Sequence, residues 1–276
     1  MKVIIVGANG FIGSHVKKCM LNDSIDVFQI DRNTNIDSIS GEYDLLIDAT
    51  SQKRVSEISP LIDKIEMICD NARVKKIVVL SSFSTLQSAV KSPSEINFGS
   101  KIDIYTPYTE IKSYKERAYL KSNVSSHICF LYLPIILGEG GIWNSIFSSR
   151  KFNRFVPKLE NVYAIEVSNI ANAIISIYNS RLTRALAYGK YCWDDLFETK
   201  SLQEISIDEL GVAKHLKLLF NNHYLSYVGY TISLLYMKLR FNNYTPSLFY
   251  WFVFFKQDTI SESFIEYNVL EENNCD

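Results

Sequence analysis

Five short apolar runs set the strongest constraint on how this chain folds: KVIIV (2–6), IDVFQI (25–30), DLLIDA (44–49), KIVVLS (76–81) and HICFLYL (127–133). Each is rich in β-branched residues and stops at a turn or helix signal, as buried strands do. Their apolar residues are continuous rather than alternating, so both faces must be covered, which is the condition of strands in a parallel sheet. Helical patterns fill the gaps over 11–21, 55–71 and 107–120. Strand and helix in alternation require right-handed crossovers, and the result is an α/β fold with a doubly wound parallel sheet. After Pro134 the regularity fades into short loops, a helix near 167–179 and mixed segments. The chain therefore reads as a core over 1–135 and a smaller C-terminal lobe over 136–276. That lobe covers the carboxyl edge of the sheet, where ligands bind in such folds, and the 161–180 segment returns to the core.

Composition narrows the function classes. The chain has 276 residues, and its 29 basic residues nearly cancel 30 acidic ones, so it carries no electrostatic footprint for nucleic acid. Cys19, Cys69, Cys129, Cys192 and Cys275 are scattered without a CxxC pair, which argues against a disulfide framework or zinc site and for a reducing, cytoplasmic compartment. His15 and His127 have no Cys, His or Asp at ligand spacing, so no metal is expected. The first apolar run is too short for a signal peptide and meets turn glycines at once. The C-terminal third is aromatic, most of all over 224–239 and 247–255. Neither stretch reaches the roughly 20 apolar residues of a spanning helix. They read as a buried helix and strand or a pocket wall, with peripheral contact to a membrane surface as the alternative.

The first strand runs into Gly7-Ala8-Asn9-Gly10-Phe11-Ile12-Gly13, which also opens the first helix. A glycine-rich strand-to-helix turn lets backbone N–H groups approach a phosphate, and the helix N-terminus adds its positive dipole end. This makes Gly7, Asn9, Gly10, Phe11, Ile12 and Gly13 candidates for a dinucleotide pyrophosphate in a Rossmann-type core. The second strand ends at Asp31, 18 residues after Gly13, where a carboxylate accepts hydrogen bonds from an adenosine ribose and repels a 2′-phosphate. Arg32 beside it is able to neutralise such a phosphate, so NAD is the expected cofactor and NADP remains open. Ala49 and Thr50, after the third strand, and Pro134, after the fifth, complete the cofactor-binding set.

PYTEIKSYKE places Tyr108 and Lys112 at i and i+4, on one helix face about a turn apart. A phenol ordinarily holds its proton to about pH 10, and a neighbouring ammonium favours the phenolate. A tyrosine tuned in this way trades a proton with a substrate hydroxyl or carbonyl while a nicotinamide trades the hydride. The third group should be a hydroxyl at the end of the fourth strand, where KKIVVLSSFSTL offers Ser81, Ser82 and Ser84. Strand alternation sends Ser81 and Ser82 to opposite faces, so at most one of them enters the site.

In this order, Gly7…Gly10…Gly13, Asp31, LSSFS and Tyr108-x-x-x-Lys112 resemble the extended short-chain dehydrogenase/reductases. The likeness is to their NAD-dependent epimerase/dehydratase branch, which works on nucleotide sugars, and it spans about 1–180. It implies that Ser82 is the catalytic hydroxyl, Tyr108 the acid/base, and Lys112 the lysine that also grips the nicotinamide ribose. YDLLIDATS looks like the family's third-strand segment, FLYLPIILGEGG like its entry to the substrate lobe, and AIEVSNIANAI like a later turn and helix. Glu116 also matches the family's helix. The chain departs where the family often has Arg and Asn, carrying Tyr132 and Ile135, and has Asn169 and Leu86 for a usual Asp and Tyr. It also has Phe83-Ser84 where the sugar dehydratases carry an Asp-Glu pair, which points away from dehydration. The resemblance thus implies an oxidoreductase or epimerase of a nucleotide-sugar, in surface polysaccharide biosynthesis, with Ser84, Trp143 and Asn144 toward the substrate. It implies a homodimer as well, through the helix of Tyr108 and its neighbour. Two other readings stand beside it: a dehydrogenase of a lipid-like or steroid-like alcohol at a membrane surface, and a non-catalytic dinucleotide sensor.

Overall fold

The structure is a computed structural model that describes residues 1–31, 33–82, 85, 107–141, 143, 162–191 and 269–271. Arg32, Ser84, Leu86, Asn144, Cys192, Cys275 and both aromatic stretches lie outside the described residues, as does most of the expected C-terminal lobe.

Strands β1 (Lys2–Val6), β2 (Asp26–Ile30), β3 (Gly41–Asp48), β4 (Ala72–Ser82) and β5 (Ile128–Leu133) coincide with the five apolar runs. Helices α1 (Phe11–Asn22), α2 (Ile58–Asn71) and α3 (Pro107–Lys121) follow β1, β3 and β4, while only a short 3-10 turn (Ile36–Ser38) joins β2 to β3. Beyond them come β6 (Ile135–Leu137), β7 (Val162–Glu166), α4 (Asn169–Tyr178), β8 (Arg184–Tyr191) and β9 (Val269–Glu271). The main sheet has the order β2-β1-β3-β4-β5-β8, and its pairs are parallel throughout. This is the doubly wound Rossmann architecture that the strand–helix alternation implies. β8 pairs with β5 through Arg184–Leu186 and then runs antiparallel to β7, which in turn pairs with β6.

The covered faces explain why the runs are apolar without alternation. Val3, Ile5, Leu45, Ile47, Val78 and Leu80 pack in one cluster with Val16 and Met20 of α1 and Ile170, Ile174 and Ile177 of α4. Ile4, Val6, Leu46, Ile77 and Val79 point the other way, against Ile58, Ile62 and Ile65 of α2 and Ile111 and Tyr119 of α3. Side chains of this size contribute about 1.5–3 kcal/mol each on burial, so the two layers together fix register and face.

Helix ends and the start of β5 shift from the sequence reading, α2 starting at Ile58 after a 3-10 turn over Val55–Glu57, and three strand boundaries have a physical reason. β3 starts at Gly41 because its first residues pair with β4 at the exposed end of the ladder, where Glu42 needs no apolar side chain. β4 starts at Ala72, directly after α2, for the same reason. β2 stops at Ile30, and Asp31 is the first residue beyond it.

Strand order reverses at β1, which lies between β2 and β3. The crevice of such a sheet opens at the carboxyl ends of the strands on either side of the reversal. Here those ends are Val6, leading into the glycine turn, and Asp48, leading into Ala49 and Thr50.

Candidate functional site

The glycine turn is shaped by its own backbone. Gly7 has φ +84°, the left-handed region that costs a side-chain-bearing residue, and a Cβ there would lie 3.0 Å from Thr50 Cγ2 and 3.1 Å from Thr50 N. A Cβ on Gly13 would fall 2.2 Å from the Gly7 carbonyl oxygen, so α1 crosses the turn at a distance only glycine permits. Gly10 N–H donates to Gly7 O at 3.0 Å and Ser14 N–H to Gly10 O at 2.9 Å, closing the turn onto the first turn of α1. Gly10 is the N-cap and supplies no side-chain cap. The first amides of α1 therefore keep the unmet donors that draw an anion to a helix start. A cradle that a Cβ would fill, beside an uncapped helix start, fits the pyrophosphate of a dinucleotide.

The other cofactor candidates fall around it. Asn9 is exposed at the turn's tip, and Ile12 is half-buried against the layer that holds α1. Phe11 contributes only its backbone to the cradle, because its ring packs over Gly141, where a Cβ would lie 2.7 Å from Phe11 Cζ. Ala49 N–H donates to Val6 O at 3.0 Å, which seats the Ala49–Thr50 turn beside Gly7. Asp31 stands exposed past β2; its Oδ1 accepts from Asn33 N–H at 2.8 Å and Thr34 Oγ1 at 3.1 Å. The Asn33 bond, then the Thr34 hydroxyl, hold the Asp31 carboxyl below its ordinary range. Pro134 lies half-buried between β5 and β6.

At the end of β4, alternation separates the two serines. Ser81 is buried beneath α3 and donates to Glu116 Oε1 in a very short contact. Ser82, one residue on, is hydrogen-bonded to the phenol of Tyr108 at the start of α3. Burial raises the Tyr108 phenol pKa, while the Ser82 bond and the charge of Lys115 oppose that rise. Lys112 lies one turn along, its ammonium 5.9 Å from the centroid of the Tyr108 ring and bonded to Leu80 O at 3.3 Å. Its pKa is pushed down by burial and supported by the carboxylates of Asp48 and Glu116. The structure thus brings Ser82, Tyr108 and Lys112 together. It puts Trp143 in a buried position after the Gly138–Gly141 turn.

From sequence, Asp48 ends the third strand with a contact to the cofactor or a strand-end turn as equal readings, and the buried cluster around it is not foreseen. Asp48 is fully buried, and its carboxylate takes four donors: Lys115 Nζ at 2.7 Å and Tyr119 Oη at 2.6 Å on Oδ2, Thr50 N–H at 2.9 Å and Thr50 Oγ1 at 2.5 Å on Oδ1. Lys115 Nζ also donates to Thr50 O at 3.1 Å and Thr50 Oγ1 at 3.3 Å, and Gln52 Nε2 bonds the same hydroxyl at 2.7 Å. Burial pushes the Asp48 carboxyl up, but the Lys115 charge and the hydrogen bonds win and leave it lowered. Burial pushes Lys115 down to about 8, against the pull of Asp48 and with the help of Lys112. The signal that would find Lys115 is its i+7 spacing from Tyr108, which puts it on the face of Tyr108 and Lys112. A second buried group, Glu116, accepts from Ser81, from Thr85 Oγ1 at 3.0 Å and from Tyr132 Oη at 3.1 Å. Tyr132, which stands where the resemblance leads one to expect Arg, is thus a partner of Glu116. Among the described residues no group of His, Cys, Asp and Glu is arranged to hold a metal ion, and no helix is long and apolar enough to cross a membrane.

No protein-family profile matches the chain, and no curated protein does. Solved structures do share its fold. Vestitone reductase from alfalfa aligns with TM-score 0.55 at 17% identity, over 76% of this chain and 86% of that one. UDP-glucuronic acid 4-epimerase from Bacillus cereus, in complex with UDP-glucuronic acid and NAD, aligns with TM-score 0.53 at 14% identity, over 74% and 85%. UDP-N-acetylglucosamine 4-epimerase from Bacillus cereus aligns with TM-score 0.52 at 14% identity, over 78% and 92%. What this chain shares with them is the fold, a doubly wound Rossmann sheet. The resemblance to extended short-chain dehydrogenase/reductases read from the motifs is matched at the level of architecture.

Proposed function

We propose that this protein is an NAD(P)-dependent oxidoreductase or epimerase of a nucleotide-linked sugar, with NAD as its cofactor of preference. The observation that carries this reading is the Ser82–Tyr108 hydrogen bond with Lys112 over the phenol ring, at a strand end one strand from Ala49 and Thr50.

The backbone of the glycine turn and the first amides of α1 would hold the pyrophosphate, with Asp31 beside the adenosine ribose. A nicotinamide, when bound, accepts or returns a hydride. Tyr108 holds or releases a proton at its phenol oxygen, toward the hydroxyl or carbonyl oxygen of the sugar. Ser82 Oγ orients that oxygen by hydrogen bonding. Lys112, buried and cationic, favours the phenolate once the proton has left. The family's Asp-Glu pair for elimination is replaced by Phe83-Ser84, which favours carbonyl reduction or epimerisation over dehydration.

Mass spectrometry of the small molecule released on denaturation, followed by titration with NADH and NADPH, tests the proposal. Retained NAD(H) is expected of an epimerase that regenerates its own cofactor, and exchangeable NADPH of a reductase in which Arg32 outweighs Asp31. Failure to bind either would reduce the glycine turn to a packing device and remove the proposal. A homodimer through α2 and α3, where Met67, Tyr114 and Leu120 stand exposed, belongs to the same reading and is read by light scattering. So does a place in surface polysaccharide biosynthesis in the cytoplasm.

A further inference from the structure

Lys115 is a buried charge, paired with Asp48, that the proposed chemistry leaves without a task. Its side chain is 1% exposed, and its three donors are directed to Asp48 Oδ2, Thr50 O and Thr50 Oγ1. Lys112, one turn earlier, bonds a strand carbonyl and lies over Tyr108, so the two lysines divide the helix face between the phenol and the Thr50 turn.

A buried ion pair is in general no more stabilising than apolar residues of the same size, so its presence here asks for a positional reason. The turn it grips supplies one. Ala49 and Thr50 leave β3 at the switch point; Ala49 packs on the layer that holds α1 and Gln52 is buried, but Ser51, Lys53 and Arg54 are exposed, so Thr50 is held chiefly by polar bonds. Thr50 nevertheless stands where a Cβ on Gly7 would meet both its methyl group and its amide, making this turn the shoulder of the glycine cradle. The charged and titratable groups that bear on Lys115 are Asp48 from β3 and Tyr108 and Lys112 from its own helix.

We propose that Lys115 is a positioning residue of the cofactor site: anchored on Asp48, it clamps the Ala49–Thr50 turn against the glycine cradle and ties that turn to the helix bearing Tyr108 and Lys112. The cradle is thereby held in its binding shape before any ligand arrives, which lowers the ordering cost of binding. The link to a dinucleotide rests on the function proposed above; the clamp itself does not.

The test is a charge-balanced pair, Asp48→Asn with Lys115→Met. The new amide still accepts from Thr50 and donates to the Tyr119 oxygen, so no buried charge is stranded. Two readouts are taken: hydrogen exchange of the amides of residues 49–52 in the ligand-free protein, and the dissociation constants for NADH and NADPH. Faster exchange at 49–52, little change in β1 and β4, and about tenfold weaker dinucleotide binding are expected from a loss of pre-organisation. Unchanged exchange overturns the clamp. Faster exchange with unchanged affinity overturns its role in the site. If the wild-type protein binds neither dinucleotide and the variant still exchanges faster, the clamp stands and the proposed function falls. Should the paired variant fail to fold, Thr50→Val removes the hydroxyl partner alone at a half-buried turn. A smaller rise in exchange is then expected, and none would overturn the proposal.

Discussion

Tyr108 concentrates the proposed chemistry in one oxygen, bonded to Ser82 and backed by Lys112. Tyr108→Phe removes the proton and keeps the ring, so turnover on an identified substrate should fall by about 10²- to 10⁴-fold while the NADH dissociation constant stays close to wild type. Full turnover in a steady-state assay would dismiss the mechanism. Glu116 sits on the same helix with a different character. Burial raises its carboxyl pKa above the ordinary value despite three hydroxyl donors. A raised carboxylate is a cost that grows as pH climbs through its folded pKa, so at pH 8 Glu116→Gln should unfold in urea at a free energy equal to or above wild type. Glu116→Ala removes the acceptor of Ser81 and Tyr132, while Thr85 keeps its bond to Ser82 O at 2.8 Å, and should lose about 2–3 kcal/mol. The Tyr108–Lys112 pair is legible in the sequence because an i, i+4 spacing names it. Lys115 is not, because a charge on a helix reads as solvated until the sheet that buries it is known; Glu116 is visible there only through the family likeness, and its burial and partners are not.

At the scale of elements, α1 and its turn answer to glycine at two positions for opposite reasons. A Cβ on Gly13 would strike the Gly7 carbonyl oxygen at 2.2 Å, backbone against backbone with nothing flexible to give. Gly13→Ala should therefore destabilise by about 3 kcal/mol, and abolish dinucleotide binding because the turn must open. Gly10→Ala meets the same oxygen at 3.3 Å from an ordinary extended φ of −75°, and should cost only about 1 kcal/mol as a poorer N-cap. Thermal melts of the two variants decide between this account and a turn that tolerates any small residue. The five core strands and the helices between them are readable because two helical layers make the central residues of most strands apolar on both faces. The extra residues at the start of β3 and β4 are not, because Glu42 and Arg73 sit in a ladder that faces water. α3 is readable only as a helix: its inward face carries Lys112, Lys115, Glu116 and Tyr119, so apolar periodicity says nothing about which side packs.

For the whole molecule, stability and binding should separate with pH, because the groups that serve them titrate in different windows. On the acid side, hydrogen bonding and the charge of Lys75 hold Asp44 at about 2, where it also accepts from Lys2 N–H and Tyr178 Oη. Depressed carboxylates contribute stability above their unfolded value and lose it as pH falls, so this tie between β1, β4 and α4 weakens below about pH 4. On the alkaline side the sign reverses. Burial pushes Lys115 down to about 8 from an ordinary 10.5, so the folded state gives up this proton before the unfolded state does. Its contribution to stability therefore rises between about pH 8 and 10.5 rather than falling. The clamp on Thr50, however, loses its cation over the same window, leaving the Asp48 carboxylate held by Thr50 and Tyr119 alone. The expected result is an NADH dissociation constant that climbs above about pH 8 while the melting temperature shows no matching loss from this group. Fluorescence titration and calorimetry in the same buffers from pH 7 to about 9.5 would show it. The paired Asp48→Asn, Lys115→Met variant should give a flat, weaker profile across that range. A wild-type constant equally flat would mean that Lys115 keeps its proton against the whole burial penalty, or that the Thr50 turn needs no cation to hold the cradle closed.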